Sequence, residues 1–196
     1  MRSLRKPSED AGDVFALCVG NIRNRDLKQR LTHAKSFVAA AAVEYEMAAL
    51  SANLHTVSTG DIVGDNVTKD EMINVYTARM VTKGQPGRPV YDKLLAVPAH
   101  GRCPLCGIGQ VTSLDHHLPK SKYPILVVTP TNLVPSCDWC QRSKMEACPR
   151  TAQEQTFHPY YDNFEPGVWL RADVIEGVPA SFYFLVQALD ACNSIT

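Results

Sequence analysis

The sequence has no excess of charge of either sign, because its 196 residues contain 20 Lys and Arg and 20 Asp and Glu. It therefore gives no global basic signal for nucleic acid, although a local basic patch can be enough for such binding. It has no apolar run near the length of about 18 residues that a membrane-spanning helix needs. No apolar stretch follows the charged start at residues 1–6, as a secretory signal peptide requires. We therefore expect a cytoplasmic protein without a membrane segment.

Cysteine is present in a pattern that indicates a metal site. The seven cysteines are an odd number, which argues against a framework of disulfides alone. Four of them form the pairs Cys103-x-x-Cys106 and Cys137-x-x-Cys140, and two such turns can hold a structural Zn²⁺ ion. The alternatives are two unrelated pairs, disulfides, or a redox pair, which would need a βαβ context that we do not see. We expect ordinary buried thiols at the three remaining positions: Cys18, Cys148 and Cys192.

The N-terminal part of the chain is predicted to be helical behind a loose charged arm at residues 1–12. We expect a short helix over residues 13–20 and a long one over residues 25–54, where one apolar stripe repeats at helical spacing. Thr68 and Glu71 fit a capping box, which predicts a helix to about Lys83, and a further short helix is expected over residues 90–97. The long helix is either a core helix or a docking helix for a partner, and the sequence does not separate the two.

We place a domain boundary near residue 86, in a turn rich in proline and glycine. Residues 1–86 are then a helical arm, a possible partner-docking region, and residues 87–196 carry the cysteine pairs. We expect a helix over residues 142–149 and a polar loop over residues 151–157. Two strands follow over residues 168–176 and 181–187, separated by Gly177-Val178-Pro179. The predicted class is α+β.

An acid and two histidines lie between the cysteine pairs. If residues 111–118 form a strand, Asp115 and His117 point one way and His116 points the other, unless the strand is irregular near a site. Phosphodiester hydrolysis needs a base to activate water and a cation to stabilise developing charge. Adjacent His and Asp side chains can supply both, whereas the simpler interpretation is a polar strand end that faces solvent.

The motifs of this region resemble those of the HNH endonucleases, whose fold is the ββα-metal finger. They are Cys-Pro-x-Cys-Gly from Cys103, Leu-Asp-His-His-Leu-Pro-Lys from Leu114, and Asn-Leu-Val-Pro-Ser-Cys-x-x-Cys-x-x-x-Lys from Asn132. The resemblance covers residues 101 to about 146 and does not reach residues 1–85. It implies a zinc-stabilised nuclease module preceded by a helical region and followed by a short β extension.

The resemblance also implies roles for individual residues. The family pattern places Pro three residues after the general-base His, so Pro119 assigns the base to His116 and the catalytic divalent cation, Mg²⁺ or Mn²⁺, to Asp115. Asn132 would stiffen the turn between the strands and help to orient the base. His117 takes a place that is usually apolar, and it is expected to contact DNA or to pack. Lys120 and Lys144 are expected to contact DNA phosphates.

The position after the last cysteine departs from the family pattern. Family members usually have Asn or His there as the second ligand of the catalytic cation, whereas this chain has Gln141. Its amide oxygen could still coordinate a hard cation, but its longer arm could misplace that oxygen. His158 is a further candidate ligand if residues 157–162 fold back, and otherwise a structural histidine.

The residues within these motifs are similar to those of HNH nucleases from bacterial anti-phage defence. Examples are the Septu-type nuclease subunit, which works with an ATPase partner, and retron-associated relatives. This likeness implies a DNA-cleaving defence effector whose helical arm docks the ATPase. Two rival hypotheses remain open. One is a non-catalytic zinc-finger module that binds nucleic acid, and the other is a scaffold subunit organised by the alanine-rich helix. The sequence does not distinguish DNA from RNA or indicate a preferred cleavage site.

Overall fold

The chain folds as a mixed α+β protein in which helices precede short strands. The computed structural model describes residues 2–64, 66–163, 167–168 and 170–186. The helices are α1 (Ala11–Val19), α2 (Arg25–Leu50), α3 (Lys69–Tyr76), α4 (Arg88–Leu95) and α5 (Asp138–Lys144). The strands are β1 (Ile62–Val63), β2 (Val67–Thr68), β3 (Ser113–His116), β4 (Leu133–Ser136), β5 (Leu170–Ile175) and β6 (Ser181–Val186). The expectation for Cys192 and the end of the strand predicted over residues 181–187 lie outside the described residues.

The first two helices begin at side chains that cap them. Asp10 accepts a hydrogen bond from the backbone N–H of Asp13 at the start of α1, and Asn24 accepts one from Leu27 at the start of α2. Such caps satisfy N–H groups that have no partner inside the helix. Both predicted helices are confirmed, and the stripe expected along α2 is buried at Leu31, Ala34, Val38, Ala42 and Tyr45.

Helix α3 has the capping box that the sequence predicts. Thr68 Oγ1 accepts from the backbone N–H of Glu71, and the Glu71 carboxylate accepts from the backbone N–H of Thr68. The prediction of one helix to about Lys83 is wrong in its second half, because α3 ends at Tyr76 and continues as a π-helical turn over Thr77–Val81. The wider turn changes which side chains the segment presents to its neighbours.

Two antiparallel strands and a helix follow the first cysteine pair. Strand β3 pairs with β4, and Asp115 lies opposite Val134 in this register. Helix α5 then starts directly after Cys137. The strand predicted over residues 111–118 is shorter than expected, since β3 ends at His116. The helix predicted over residues 142–149 is wrong, because α5 spans Asp138–Lys144 and is ended by Met145, which has a φ of 50°.

One hydrophobic core joins the helical region to the segment between the cysteine pairs. Its largest cluster packs Phe15, Val38 and Met80 of the helical region with Val127 and Leu133, which lie between the cysteine pairs. A second cluster packs the C-terminal end of α2 against the segment after β3. The boundary proposed near residue 86 stays a prediction, but both clusters contain residues from its two sides. None of the described helices is both long and apolar enough to cross a membrane.

The two ends of the described chain differ in their packing. We expected a loose N-terminal arm, but the structure shows that it is held in place. The backbone N–H of Arg2 donates a hydrogen bond to the carbonyl of Pro104, and that of Leu4 donates one to the carbonyl of Pro159. The two predicted strands are present as β5 and β6, and the structure pairs them as an antiparallel hairpin. Their side chains are mostly exposed, including Phe182 and Phe184. The loop expected at residues 151–157 contains one short 3₁₀ turn, Ala152–Glu154.

Candidate active site and cysteine cluster

The two Cys-x-x-Cys pairs come together in space. The Sγ atoms of Cys103, Cys106, Cys137 and Cys140 all lie within 4.8 Å of one another, and they are the only such group of potential metal ligands among the described residues. Cys106 and Cys137 are 31 positions apart in the chain, so the cluster joins the loop before β3 to the start of α5. Four clustered thiols with this spacing can hold a structural metal such as zinc.

Backbone groups favour the thiolate form of Cys106, whereas burial raises the pKa of Cys103 and of Cys140. The N–H of Gly109 donates to Cys106 Sγ at 3.3 Å. Burial opposes ionisation of Cys106, but the N–H groups of Gly109 and Ile108 outweigh it and lower the pKa of this thiol to about 6. A Cβ atom at Gly109 would lie 2.7 Å from Cys137 Sγ, so only glycine fits beside the cluster. The local chain is therefore shaped around four sulfur atoms.

A cavity of about 460 Å³ lies beside the cysteine-anchored strands. Asp115 and His116 of β3 reach its wall, as does Gln141 of α5. This volume is within the range of ordinary ligand pockets. The structure thus brings together three of the four residues that we assigned to catalysis. The fourth, Asn132, does not line the cavity and instead bonds to the backbone of the neighbouring segments.

The ring of His116 is fixed by contacts on several sides. Its Nε2 lies 2.9 Å from the carbonyl oxygen of Val127. Because a carbonyl can only accept, Nε2 carries the proton and Nδ1 is the basic nitrogen. The Tyr76 and His116 rings pack edge to face, with ring centroids 4.5 Å apart. Burial lowers the pKa of His116 to about 3, so the imidazole is neutral at pH 7.

Asp115 is paired with Lys144. Lys144 Nζ lies 3.2 Å from Asp115 Oδ2 and donates to the carbonyl oxygen of His116 at 2.7 Å. Burial raises the pKa of Asp115 above its ordinary value, although the ammonium group acts in the opposite direction. A positive charge is thus held next to the carboxylate that we expected to bind a cation.

Asn132 ties the chain after β3 to the chain before β4. Its Oδ1 accepts from the backbone N–H of Leu118 at 2.8 Å, and its Nδ2 donates to the carbonyl of Leu118 at 3.1 Å. Nδ2 also donates to the carbonyl of Leu126 at 3.4 Å. The side chain is fully buried. Since Leu126 adjoins Val127, these bonds also hold the carbonyl that orients His116.

Gln141 and Lys120 approach the cavity from different elements. Ser113 donates a hydrogen bond from Oγ to Gln141 Oε1 at 2.9 Å, which orients the amide. Lys120 Nζ lies 5.2 Å from the centre of the Tyr76 ring, close enough for a cation–π contact. Both side chains line the cavity.

His117 and His158 both lie away from the cavity wall. His117 is 7% exposed, which favours the packing alternative, and its contact with DNA stays a prediction. The ring of His158 stacks against that of His117, with centroids 4.1 Å apart. His158 Nε2 lies 2.7 Å from Tyr45 Oη, and its Nδ1 accepts from the N–H of Tyr160. Both ring nitrogens of His158 are therefore engaged by tyrosine residues, which favours the structural alternative over a cation ligand.

Several residues of the cavity wall were missed by sequence reasoning. The helical region contributes Ile73, Tyr76, Thr77 and Val81, and Met145 follows α5. The side chain of Tyr76 is also buried, so it belongs both to the core and to the cavity wall. Ile73, Thr77 and Val81 are four residues apart and therefore lie on one face of the helical segment. This spacing could have indicated that the face lines a cavity.

Comparisons with known proteins give a relative but no activity. Protein ea31 of Escherichia phage lambda is 35% identical over 137 residues. The match covers 68% of this chain and 46% of the phage protein, so the chain spans about half the length of the curated relative it matches. No family model matches the chain. No solved structure matches it either.

Proposed function

We propose that this chain is a metal-dependent endonuclease of the HNH type that hydrolyses phosphodiester bonds in DNA. The observation that carries the proposal is that Asp115, His116 and Gln141 line one cavity beside a four-cysteine cluster. The order of two antiparallel strands followed by a helix agrees with the ββα arrangement that the motif resemblance implies. The four cysteines would hold a structural Zn²⁺ ion that keeps β4 and α5 in register with the loop before β3.

The oxygen atoms at the cavity fit a hard divalent cation. A carboxylate from Asp115 and an amide oxygen from Gln141 are ligand types that Mg²⁺ and Mn²⁺ accept. The ammonium group of Lys144, 3.2 Å from Asp115, is a positive charge that already neighbours this carboxylate. Asp115 and Gln141 would hold the cation. When bound, it would stabilise the charge that develops on the phosphate and on the leaving 3′ oxygen.

His116 acts as the general base in this proposal. Its Nδ1 takes a proton from the attacking water, and the Val127 carbonyl holds the proton on Nε2, so that the imidazole keeps one tautomer. Lys120 would contact a phosphate of the bound strand, since its side chain lies at the cavity wall.

A plasmid-nicking assay tests this proposal. The intact protein, alone and with its partner, is incubated with supercoiled DNA and Mn²⁺ or Mg²⁺. We expect nicking that depends on the cation and falls about 100-fold or more in His116→Ala, the usual effect of losing a general base. His33→Ala removes an exposed histidine on α2 and is the matched control. Equal cleavage by wild type and His116→Ala would overturn the assignment of the base.

A second candidate function is a zinc-finger module that binds nucleic acid without cleaving it. It is favoured because the oxygen atoms of Asp115 and Gln141 already have partners in the protein. Lys144 pairs with Asp115, and Ser113 donates a hydrogen bond to Gln141 Oε1. The two functions differ in one experiment. DNA binding in a gel-shift assay, without nicking by the wild type under any of the cation conditions, identifies the binding module.

We also propose that the helical region docks an ATPase subunit, so that the nuclease acts in anti-phage defence. The support is a set of exposed apolar side chains on α2, which include Val43, Met47 and Leu50. Their spacing puts them on the side of the helix away from the core. Co-purification of an ATPase subunit with the wild-type chain, and its loss in Met47→Glu, would support this docking site. Unchanged co-purification of Met47→Glu would exclude it.

A further inference from the structure

The cavity has an apolar wall that the proposed hydrolysis does not use. Ile73, Val81 and Met145 line it together with the ring of Tyr76. The catalytic groups and a phosphate need only the polar wall formed by Asp115 and its neighbours. The apolar wall comes mainly from the helical region, outside the segment that resembles the HNH family. It therefore has no counterpart in the motif-based assignment.

The helical part of this wall is held firmly by the π-helical turn Thr77–Val81. Thr82 Oγ1 donates to the carbonyl of Thr77 at 3.0 Å, and the Arg88 guanidinium donates to the carbonyl of Val81. The chain returns against the turn at Gly87, where a Cβ atom would lie 2.8 Å from the carbonyl oxygen of Arg79. Such π turns are frequent at functional sites, and this one carries Thr77 and Val81 on the cavity wall.

Met145 forms the rim with an unfavourable backbone. Its φ of 50° and ψ of −123° belong to a region that non-glycine residues rarely adopt. Its side chain is 75% exposed although it is apolar. Met145 directly follows Lys144, so the backbone that places the ammonium at Asp115 also places the thioether at the cavity mouth. A flexible thioether adapts well to the face of a flat ligand.

We propose that this apolar wall is a subsite for an unpaired nucleobase next to the scissile phosphate. This inference rests on the proposed nuclease function and names its substrate: single-stranded or locally unpaired DNA. A base that leaves its stack offers two apolar faces, which Ile73, Val81 and Met145 can cover. Lys120 lies beside Tyr76 and can contact the phosphate that joins the base to the reacting centre.

A paired duplex would gain little from this wall. Its bases are stacked, and moving one of them into the cavity costs the energy of unpairing and unstacking. Ser121 also lines the cavity, and its buried Oγ has no hydrogen-bond partner among the described residues. A small shift would let this hydroxyl bond a polar edge of the base. The subsite thus combines apolar faces with one uncommitted polar group.

Binding of fluorescent oligonucleotides tests the subsite independently of cleavage. Single-stranded DNA with 2-aminopurine at successive positions is titrated with His116→Ala protein and Mn²⁺. We expect one position whose fluorescence changes on binding, and about tenfold weaker binding when that base is replaced by an abasic residue. Met145→Gly removes the rim and relieves its backbone, and should weaken binding of the base-containing strand only.

Matched variants and substrates separate the possible outcomes. Leu17→Ala removes an exposed apolar side chain, which lies on α1 and not on the cavity wall, and should leave binding unchanged. Ile73→Thr, which makes one cavity-facing side chain polar, is a second variant if Met145→Gly does not fold. Equal affinity for abasic and base-containing strands, or for duplex and single strands, would overturn the subsite. Base-dependent binding without any nicking would retain the subsite and reject the proposed nuclease instead.

Discussion

The ammonium of Lys144 lies 3.2 Å from the carboxylate of Asp115, in a site where both side chains are less than one-fifth exposed. The same Nζ bonds the backbone carbonyl of His116 at 2.7 Å. Lys144 is at the end of α5 and Asp115 is in β3, so the pair joins the helix to the strand. A charge that is this poorly solvated is stable only with its partner. The positive charge of Lys144 therefore compensates the negative charge of Asp115 when no metal cation is bound.

Lys144→Ala should have opposite effects on cation binding and on cleavage. Removal of the ammonium leaves Asp115 without a competing charge, so we expect Mn²⁺ to bind about tenfold more tightly, which corresponds to the loss of a charge interaction of about 1.4 kcal/mol. Nicking should fall, because a positive charge near the phosphate is lost. Isothermal titration with Mn²⁺ and the nicking assay measure the two effects.

Lys35→Ala is the control for this prediction. Lys35 pairs with Asp13 at 3.0 Å on the helical side of the molecule, where both side chains are exposed. Neither its affinity for Mn²⁺ nor its nicking rate should change. Weaker Mn²⁺ binding by Lys144→Ala than by wild type would show that the lysine supports the cation site rather than competing with it.

Asn132→Ala should destabilise the fold and slow cleavage together. The substitution leaves the N–H of Leu118 and two carbonyl groups without their buried partner, and each such loss costs about 1 kcal/mol or more. We expect the free energy of unfolding in urea to fall by about 3 kcal/mol. Asn74→Ala, at an exposed position on α3, should change it by less than about 0.5 kcal/mol. A comparable loss in both variants would contradict the role of Asn132.

Features that a local pattern determines could be predicted from the sequence. The capping box at Thr68 and Glu71 is a contact between residues three positions apart, and the structure has both of its hydrogen bonds. The cysteine cluster joins distant segments. It could still be predicted, because a zinc site needs four thiolates and each Cys-x-x-Cys turn supplies two of them. The apolar stripe of α2 likewise required only helical periodicity.

Features that depend on packing between distant segments could not be predicted. Tyr76 in α3 contacts His116 in β3, and no local pattern joins a core tyrosine to this candidate base. His117 and His158 could be ligands by residue type, but both are buried against each other instead. The conformation of Met145 ends α5 early, and nothing in residues 142–149 marks that position as the stop.

Removal of the cysteine cluster should remove one equivalent of zinc and weaken the fold. Cys137→Ser should reduce bound zinc from about one ion per chain to near zero, as measured by elemental analysis, because three thiolates hold zinc much less tightly than four. A strong chelator should lower the unfolding temperature of the wild type. Cys148→Ser alters a cysteine outside the cluster and should retain the metal. Zinc content that is equal in both variants would reject the site.

The ion pair between Arg30 and Glu71 should make stability depend on acid pH. Hydrogen bonds from Arg30 at 2.7 and 2.8 Å lower the pKa of Glu71 to about 2 from its ordinary value of 4.5. A lowered pKa stabilises the folded state above pH 4.5, and this contribution is lost as the pH falls towards 2. At pH 7 we expect Glu71→Gln to be less stable by about 1 kcal/mol, a small value because the pair is partly exposed. The difference should shrink in high salt and vanish near pH 2 in urea unfolding. A difference that persists in this acid range would mean that the substitution disturbs the cap of α3, and not the ion pair.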